Sequence, residues 1–286
     1  MILLTGATGF LGRYLLEALI NNKYEVVILK RSTSDTSGIN HLIDNVVCYD
    51  LDLQSLEVAF EKHSIDGVIH TACDYGKSSK SIFQITENNL MFGLKLLDAC
   101  LKYNVSFFVN TDTILPRELN EYSLSKKQFV DWLKFKSSEI LVVNFRLEYI
   151  YGKSDDKTKM IPMFLSKLKQ KISEIDLTKG DQKRDFVFID DAVAAILIVL
   201  NRVSKFDGFV EFDVGTGDSV ELKYFLEQIK LEFENAFGVT GTKLGFGNLP
   251  YRENEMMNVE LDNSALLYLG WSPKIKLQDG IRKILN

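Results

Sequence analysis

The first twelve residues constrain the fold more than any other part of the chain. A short apolar run from Ile2 to Leu4 predicts a buried strand, and it leads into three glycines, Gly6, Gly9 and Gly12. Apolar residues then recur at helical spacing over residues 14–20. Strand, glycine turn and helix in this order form the context that a dinucleotide-binding fingerprint requires. We therefore expect a dinucleotide pyrophosphate at the start of this helix, the alternative being a glycine turn with a structural role only.

The rest of the first half alternates between strand-like and helix-like segments. Helical spacing of apolar residues predicts helices at 55–63, 82–103 and 122–136. Short apolar runs between them predict strands at 25–30, 46–49, 67–70, 106–109 and 140–145. Repeated strand–helix units of this length predict an α/β fold with a doubly wound parallel sheet of the Rossmann type.

The second half changes character and predicts a smaller C-terminal lobe. A polar loop at 152–159 is followed by a predicted helix at 161–171, a strand at 174–177, a helix at 191–203 and a strand at 209–214. A chain of 286 residues has room for one large domain or two modest ones. We expect a dinucleotide-binding Rossmann domain of residues 1–150 and 186–215, and a nucleotide-sugar-binding lobe of residues 151–185 and 216–286.

Composition argues against several classes of function. The formal net charge of −5 disfavours general binding to nucleic acid or to an acidic membrane surface. No apolar run approaches the ~18 residues that a membrane-spanning helix needs, and with a strand from residue 2 we expect no signal or transit peptide. Cys48, Cys73 and Cys100 form no CxxC pair, and the three histidines lack metal-ligand spacing. We expect a cytoplasmic protein with free thiols and no metal site.

An acid–base pair is predicted where the 122–136 helix begins. Tyr122 and Lys126 are four residues apart, so their side chains share one helix face. An ammonium beside the phenol would lower the tyrosine pKa toward neutral pH, as a general acid–base requires. Upstream, the strand ending at Val109 is followed by Asn110-Thr-Asp-Thr113, and hydroxyls at the carboxyl end of a parallel strand point toward the ligand crevice. An exposed helical pair and a capping role for Thr111 or Asp112 are the structural alternatives.

The end of the second predicted strand indicates which dinucleotide binds. An acidic residue at this position would bind the ribose hydroxyls of NAD. The strand ends instead in Lys30, Arg31 and Ser32, whose two cations and hydroxyl suit the 2′-phosphate of NADPH. NADPH is therefore expected, NAD is less favoured, and a solvated charge pair is the structural alternative.

These motifs together resemble the extended short-chain dehydrogenase/reductase family, in its nucleotide-sugar-modifying group, over essentially the whole chain. The glycine turn and Tyr122-Ser-Leu-Ser-Lys126 match the family's cofactor turn and active-site helix. Arg184-Asp-Phe-Val-Phe-Ile-Asp-Asp191 is a signature of nucleotide-sugar members, and Leu269-Gly-Trp-Ser-Pro273 matches their C-terminal lobe. The segment Asn110-Thr-Asp-Thr113 before the tyrosine motif resembles the CDP-abequose and CDP-paratose synthase type, whose members reduce 4-keto deoxysugars with NADPH.

The resemblance implies roles for individual residues. Thr111 would hydrogen-bond the sugar oxygen, with Thr113 as the second candidate. Tyr122 would protonate that oxygen, and Lys126 would hold the nicotinamide ribose. Cofactor contacts are implied for the glycine turn, for several strand ends and for one helix asparagine: Gly6, Thr8, Gly9, Phe10, Leu11, Gly12, Lys30, Arg31, Ser32, Asp50, Leu51, Thr71, Ala72, Asn89, Tyr122 and Lys126.

The substrate implied by the resemblance is a nucleotide-diphosphate sugar. Arg184 and Arg252 stand at family positions that bind the diphosphate, a task that suits the forked guanidinium group, although both could be solvated loop arginines. Tyr149 and Lys159 stand at or near positions where the family often has asparagines that contact the nucleotide. Lys159 would add a third cation to the diphosphate site.

Three reactions compete on such a scaffold: reduction, epimerisation and 4,6-dehydration. Dehydratases of the family carry an Asp-Glu pair directly after the active-site threonine, and Thr113 occupies the glutamate position, which disfavours dehydration. An expected NADPH, consumed at each turnover, favours net reduction of a 4-keto nucleotide sugar. The alternatives are a nucleotide-sugar 4-epimerase with retained NAD and a non-catalytic dinucleotide-sensing protein. An intact set of Thr111, Tyr122 and Lys126 argues against the sensor.

The resemblance also implies a symmetric homodimer. In this family the helices predicted at 82–103 and 122–136 pair across a two-fold axis as a four-helix bundle. Apolar side chains expected to supply the contact are Leu90, Leu94, Leu97, Phe129 and Trp132, although any of them could instead face the chain's own sheet.

Overall fold

The computed structural model describes residues 1–76 and 81–286. The chain divides into two compact units, the first made of Met1–Leu147 and Val193–Asp213, the second of Glu148–Ala192 and Val214–Asn286. These bounds differ from the predicted ones chiefly at residues 186–192, which belong to the second unit. The reason is strand pairing, because Phe186–Phe188 pairs with Tyr149–Tyr151 and not with the central sheet.

The helices and strands of the described residues are as follows. The strands are β1 Ile2–Thr5, β2 Val26–Lys30, β3 Val47–Asp50, β4 Gly67–His70, β5 Phe107–Thr113, β6 Leu141–Leu147, β7 Tyr149–Tyr151, β8 Glu174–Leu177, β9 Lys183–Arg184, β10 Phe186–Phe188, β11 Phe209–Val214, β12 Val220–Glu221 and β13 Lys243–Phe246. The α-helices are α1 Phe10–Asn21, α2 Glu57–Lys62, α3 Ile82–Thr86, α4 Phe92–Lys102, α5 Glu121–Lys136, α6 Met160–Lys169, α7 Ile189–Leu200, α8 Leu222–Phe237, α9 Ser264–Tyr268 and α10 Leu277–Leu285.

The predicted doubly wound parallel sheet is confirmed. Seven strands lie in the order β11-β6-β5-β4-β1-β2-β3, and β1 to β6 pair in parallel. The backbone N–H of Val142 donates to Gly208 and that of Glu148 to Val214, so β11 runs the same way as β6. The chain order reverses between β1 and β4, the type of switch point where such sheets bind ligands outside their carboxyl ends.

The core of the first unit lies between the sheet and the helices that cover it. Central strand residues such as Leu3, Val68 and Phe108 are fully buried, as expected of strands covered on both faces. Leu97 of α4 and Phe129 of α5 pack in the same cluster, at 2% and 0% exposure. The prediction that these two side chains supply a dimer contact is therefore wrong, because they bury their surface against the sheet of their own chain.

The helix predicted at 82–103 is interrupted. Between α3 and α4 the residues Glu87–Met91 form a π-helical turn, a feature that often marks functional sites. The extra residue in this turn brings Asn89 inward, where its side chain is 1% exposed. The sequence pattern of apolar residues did not predict this change of helical period.

The second unit is built from two-stranded pairs and helices. Strand β7 pairs with β10, β8 with β13, and β9 with β12. Helix α8 buries Phe225, Leu226, Ile229 and Phe233 along one face, a spacing that the sequence analysis overlooked.

A buried aspartate secures the C-terminal segment of this unit. The Asp191 carboxylate accepts the backbone N–H groups of Lys274 and Ile275 at 3.1 and 2.9 Å. The Trp271 indole donates to the Asp191 carbonyl at 3.0 Å. These contacts explain why the two motifs that contain Asp191 and Trp271 occur in one chain.

Two further observations concern the whole of the described chain. None of its helices is both long enough and apolar enough to cross a bilayer. The cysteines are free thiols, with Cys100 buried and Cys48 and Cys73 half-buried.

Candidate active site

The glycine turn packs so closely that side chains are excluded. Gly6 has a φ of +72°, and a Cβ there would lie 2.6 Å from the Ala72 nitrogen and 2.7 Å from the Thr71 hydroxyl. The Gly9 N–H donates to the Gly6 carbonyl at 2.9 Å, which closes the turn. A Cβ at Gly12 would overlap that same carbonyl. Two of the glycines are thus required by packing, whatever binds at the turn.

The turn also leaves the start of α1 open to an anion. Gly9 is the N-cap of this twelve-residue helix and offers no side chain to the first N–H groups. Unpaired N–H groups and the positive end of the helix dipole favour a bound phosphate. The residues of the turn therefore fit a dinucleotide pyrophosphate, held by backbone and not by charged side chains.

Two residues predicted to bind the 2′-phosphate are engaged with a carboxylate. The Lys30 ammonium pairs with Asp50 at 2.8 Å, and the Ser32 hydroxyl donates to both Asp50 oxygens at 3.0 Å. The lysine and its hydrogen bond hold the pKa of Asp50 below its usual value. Arg31 is exposed. Asp50 is itself one of the implied cofactor contacts, and the structure adds that it partly neutralises this strand end.

The end of β4 is joined to β1 by hydroxyl groups. The Thr71 hydroxyl donates to the Thr5 carbonyl at 2.8 Å, and the Thr5 hydroxyl is hydrogen-bonded to Nδ1 of His70 at 2.7 Å. His70 is fully buried, and burial lowers its pKa to about 3, so its ring is neutral. These contacts fix Thr71 and Ala72 against Gly6, at the switch point of the sheet.

Asn89 binds protein groups on two sides. Its carbonyl accepts from the Asp74 N–H at 2.6 Å, and its amide donates to the Asp74 carbonyl at 2.8 Å and to the Ser125 hydroxyl at 3.0 Å. Ser125 lies on α5, one residue before Lys126. Asn89 therefore ties the loop after β4 to the helix that carries the acid–base pair.

The threonines are part of β5 and do not follow it. The strand pairs with β6 as far as Thr113 opposite Leu147, whereas the sequence pattern ended it at residue 109. The Thr111 hydroxyl donates to the His70 carbonyl at 3.0 Å. Thr113, in contrast, hydrogen-bonds Tyr122. Thr113, the second candidate for the sugar oxygen, therefore contacts Tyr122, whereas Thr111, the first candidate, is bonded to strand β4.

The pKa of Tyr122 lies well above its usual value, opposite to the predicted direction. Burial is the main cause, and the neighbouring Cys73 and Asp112 add to it, while the hydrogen bond with Thr113 works against it. Burial also lowers the pKa of Lys126, which is 1% exposed. Desolvation of the phenolate dominates, and Tyr122 is a protonated phenol at neutral pH. The ring of Tyr75 packs against it at a centroid distance of 4.9 Å, with the two ring planes tilted by 33°.

In the second unit, two predicted phosphate ligands are paired with carboxylates. The Arg184 guanidinium binds Glu255 at 2.6 Å and donates to the Lys183 and Met256 carbonyls. Lys159 pairs with the buried Asp155 at 3.0 Å. Arg252 is exposed. A diphosphate on Arg184 or Lys159 would therefore replace an existing carboxylate contact.

Tyr149 and its neighbour Glu148 have strongly shifted acidities. Burial raises the pKa of Tyr149, whose ring packs against Phe186 at 5.0 Å. Burial raises the pKa of Glu148 to about 7, with nearby Arg184 opposing the rise. Titratable groups shifted in this way are enriched at functional sites. Glu148 was not predicted from the sequence, since a lone glutamate after a strand forms no pattern.

Two further groups near the predicted residues were also missed. Lys127, directly after Lys126, binds Asp112. Glu255 holds Arg184. The sequence shows Lys127 directly after Lys126, so a second cation at this site could have been noticed. The contact of Glu255 with Arg184 could not, because it depends on how two distant segments fold together.

Comparison with known proteins agrees with this description. The NAD dependent epimerase/dehydratase family matches residues 2–215. CDP-abequose synthase from Salmonella muenchen is 33% identical over all of this chain and 97% of its own length. A putative UDP-glucose 4-epimerase from Methanocaldococcus jannaschii is 27% identical, also over all of this chain and 97% of its own length.

Solved structures show the same fold at lower identity. UDP-glucose 4-epimerase from Thermotoga maritima, solved with UDP-glucose, superposes with a TM-score of 0.86 at 23% identity, covering 99% of this chain and 97% of that one. UDP-glucuronic acid 4-epimerase from Bacillus cereus, solved with UDP-glucuronic acid and NAD, gives 0.85 at 23% identity over the same shares. The chain belongs to the NAD dependent epimerase/dehydratase family of extended short-chain dehydrogenases/reductases and is an enzyme of this oxidoreductase class.

Proposed function

We propose that this enzyme reduces the 4-keto group of a nucleotide-linked deoxysugar with NADPH. The observation that carries the proposal is the protonated phenol of Tyr122 beside the Thr113 hydroxyl. Reduction of a ketone needs a proton donor at the carbonyl oxygen, and a phenol with a raised pKa keeps its proton at neutral pH. CDP is the first nucleotide to test, because a relative 33% identical over its length is a CDP-abequose synthase.

The roles of the first unit follow from its chemistry. A reduced nicotinamide supplies a hydride when it is bound. Tyr122 donates its proton to the oxygen of the sugar carbonyl and is left as a phenolate. Thr113 accepts the Leu115 N–H at 3.2 Å, so its own proton is available to the phenolate oxygen. Lys126 is proposed to bind the nicotinamide ribose. Thr111 and Thr113 are the candidates for a hydrogen bond to the sugar oxygen.

Dehydration is disfavoured on two grounds. Thr113 stands where dehydratases of the family have a glutamate, so this chain lacks that base. The preceding Asp112 is 2% exposed and its carboxylate is bound by Lys127 at 2.6 Å. A carboxylate already bound by an ammonium is not free to contact a sugar hydroxyl.

The roles of the second unit are proposed from its cations. Arg252, which is exposed, and Arg184 are proposed to bind the diphosphate, with Lys159 as a third cation and Tyr149 beside the nucleotide. Arg184 would exchange Glu255 for phosphate oxygens, which a guanidinium binds in the same forked geometry.

The decisive experiment follows the hydride. With a 4-keto nucleotide deoxysugar we expect stoichiometric loss of NADPH absorbance, and deuterium from labelled NADPH at carbon 4 of the product. A panel differing in nucleotide and in deoxygenation pattern identifies the substrate. Interconversion of two hydroxy sugars without added cofactor would establish the 4-epimerase, and cofactor binding without turnover of the panel would establish the sensor.

Replacing Tyr122 by phenylalanine should reduce turnover on the order of 10²–10⁴-fold, because the proton donor is lost. Cofactor affinity should stay nearly unchanged, since the ring and its packing remain. The measurement is kcat from NADPH absorbance together with the Kd for NADPH. Tyr14→Phe removes a phenol on α1 and serves as a control. Turnover at the native rate in Tyr122→Phe would exclude the phenol as donor.

NADPH should bind more tightly than NADH, through Arg31 at the end of β2. Arg31→Ala should weaken NADPH binding about tenfold and leave NADH binding almost unchanged, because about 1.4 kcal/mol is a typical loss for one charge-assisted contact. Titration calorimetry with both cofactors measures this, with Lys23→Ala as a surface control. Equal affinities of the native enzyme for NADPH and NADH would contradict the proposal.

A homodimer is proposed through α5, with Trp132 kept from the contact residues first expected and Leu124 and Phe135 added. Leu124, Trp132 and Phe135 form an exposed stripe on this helix, at 39%, 47% and 72% exposure. We expect Trp132→Glu combined with Phe135→Lys to convert a dimer into a monomer in light scattering at micromolar concentration. Val239→Lys, at a residue 78% exposed in the second unit, is the control. A native monomer would overturn the proposal.

A further inference from the structure

Lys127 joins the helix of the acid–base pair to the strand of the threonines. Its ammonium donates to Oδ2 of Asp112 at 2.6 Å and to the Thr113 carbonyl at 2.6 Å. The Asp112 side chain is 1% exposed and that of Lys127 is 19% exposed. One cation thus binds two consecutive residues at the carboxyl end of β5.

The contact fixes the residue that touches Tyr122. Thr113 is bound through its carbonyl by Lys127 and through its hydroxyl by the Leu115 N–H at 3.2 Å. Its hydroxyl also makes the hydrogen bond to Tyr122. The Lys127 bond holds the Thr113 backbone, and the hydroxyl cannot turn away from the phenol without breaking its bond to the Leu115 N–H.

The contact also supplies the partner of a buried charge. The nearby cation Arg146 is already bound by Asp213, at 2.5 and 2.7 Å, and Arg117 by Asp131 at 2.8 Å. Among the described residues, Oδ1 of Asp112 is buried without a hydrogen-bond partner. Removing Lys127 would leave a buried carboxylate uncompensated, which is costly in a low-dielectric environment.

Two titratable groups from outside α5 act on the Tyr122 phenol. Cys73 approaches from the loop after β4 and Asp112 from β5, and both raise its pKa. Lys126 and Lys127 belong to α5, the helix of Tyr122 itself. The charge of Asp112 is the one that Lys127 balances directly.

We propose that Lys127 is a positioning residue: it holds the Thr113 hydroxyl on Tyr122 and balances the charge of Asp112 beside the phenol. The role in turnover rests on the proposed reduction, because only a proton-donating Tyr122 makes this contact matter for the rate. The structural part of the proposal concerns the phenol alone and is tested without substrate.

The test compares Lys127→Met, Asp112→Asn and the double variant with the native enzyme. The titration of Tyr122 is followed by ¹³Cζ-tyrosine NMR, and its resonance is assigned by its loss in Tyr122→Phe. Removing the carboxylate should lower the pKa of Tyr122, and removing the ammonium should raise it. The double variant, which leaves no unpaired charge, should titrate near the native enzyme. The control is Lys136→Met at the last residue of the same helix, which breaks a surface ion pair with Glu139 beyond the helix end.

Turnover provides the second readout. Lys127→Met should lower kcat on the order of 10²-fold with little change in KM, because misplacing a catalytic group by about 1 Å can have this effect. If Lys127→Met does not fold, the pKa of Tyr122 can still be compared among Asp112→Asn, the double variant and the native enzyme. An unchanged pKa of Tyr122 in Asp112→Asn, or a lower pKa of Tyr122 in Lys127→Met, would overturn the proposal. If the native enzyme reduces no 4-keto sugar, the proposed function is wrong. The pKa values of Tyr122 in these variants then decide the structural role of Lys127 by themselves.

Discussion

The contact of the Gly6 backbone with Thr71 and Ala72 is the constraint on which the first unit depends. No Cβ fits between them, so the turn after β1 lies directly against the end of β4. This contact fixes the start of α1, whose N–H groups remain open because Gly9 has no side chain to cap them. The same strand ends are joined by Thr5 and the neutral His70. These contacts hold the backbone at the start of α1, the part of the turn that fits an anion, in one position.

A second close contact orders the acid–base residues. One face of helix α5 buries apolar side chains such as Phe129 and Leu133. The helix is also held by two polar contacts, from Asn89 to its Ser125 and from its Lys127 to the Thr113 carbonyl. Apolar packing sets the distance of the helix from the sheet, whereas the polar bonds set its register. Tyr122 lies in the resulting low-dielectric environment, and desolvation therefore dominates its pKa. A tyrosine held in this way keeps its proton at neutral pH.

Cations in both units have carboxylate partners. Lys30 is bound by Asp50, Lys159 by Asp155 and Arg184 by Glu255. A bound phosphate would have to replace these carboxylates or bind beside them. Where it replaces one, the free energy of breaking the existing ion pair reduces the affinity for the phosphate. Pairing of this kind favours ligands that present oxygens in the same geometry as a carboxylate. It also keeps buried or half-buried cations from being left uncompensated when no ligand is bound.

The sequence predicted the sheet, because period and apolar content are local properties that each strand carries by itself. Strands β4, β8 and β11 were placed correctly to the residue, and the glycine turn was placed correctly between β1 and α1. The π-helical turn at Glu87–Met91 and the extension of β5 to Thr113 were not predicted, since they depend on neighbouring strands and helices.

Electrostatics was decided only by the tertiary structure. Spacing along a helix suggested that Lys126 lowers the pKa of Tyr122, but burial, which depends on packing, reversed the direction. The sequence likewise offered Lys30, Arg184 and Lys159 as cations for phosphate and could not show the carboxylates that fold against them. The sequence by itself determined which chemical groups are present and which secondary structure carries them. Their protonation, their partners and their accessibility were set by tertiary contacts, because solvent exclusion and charge pairing depend on residues far apart in the chain.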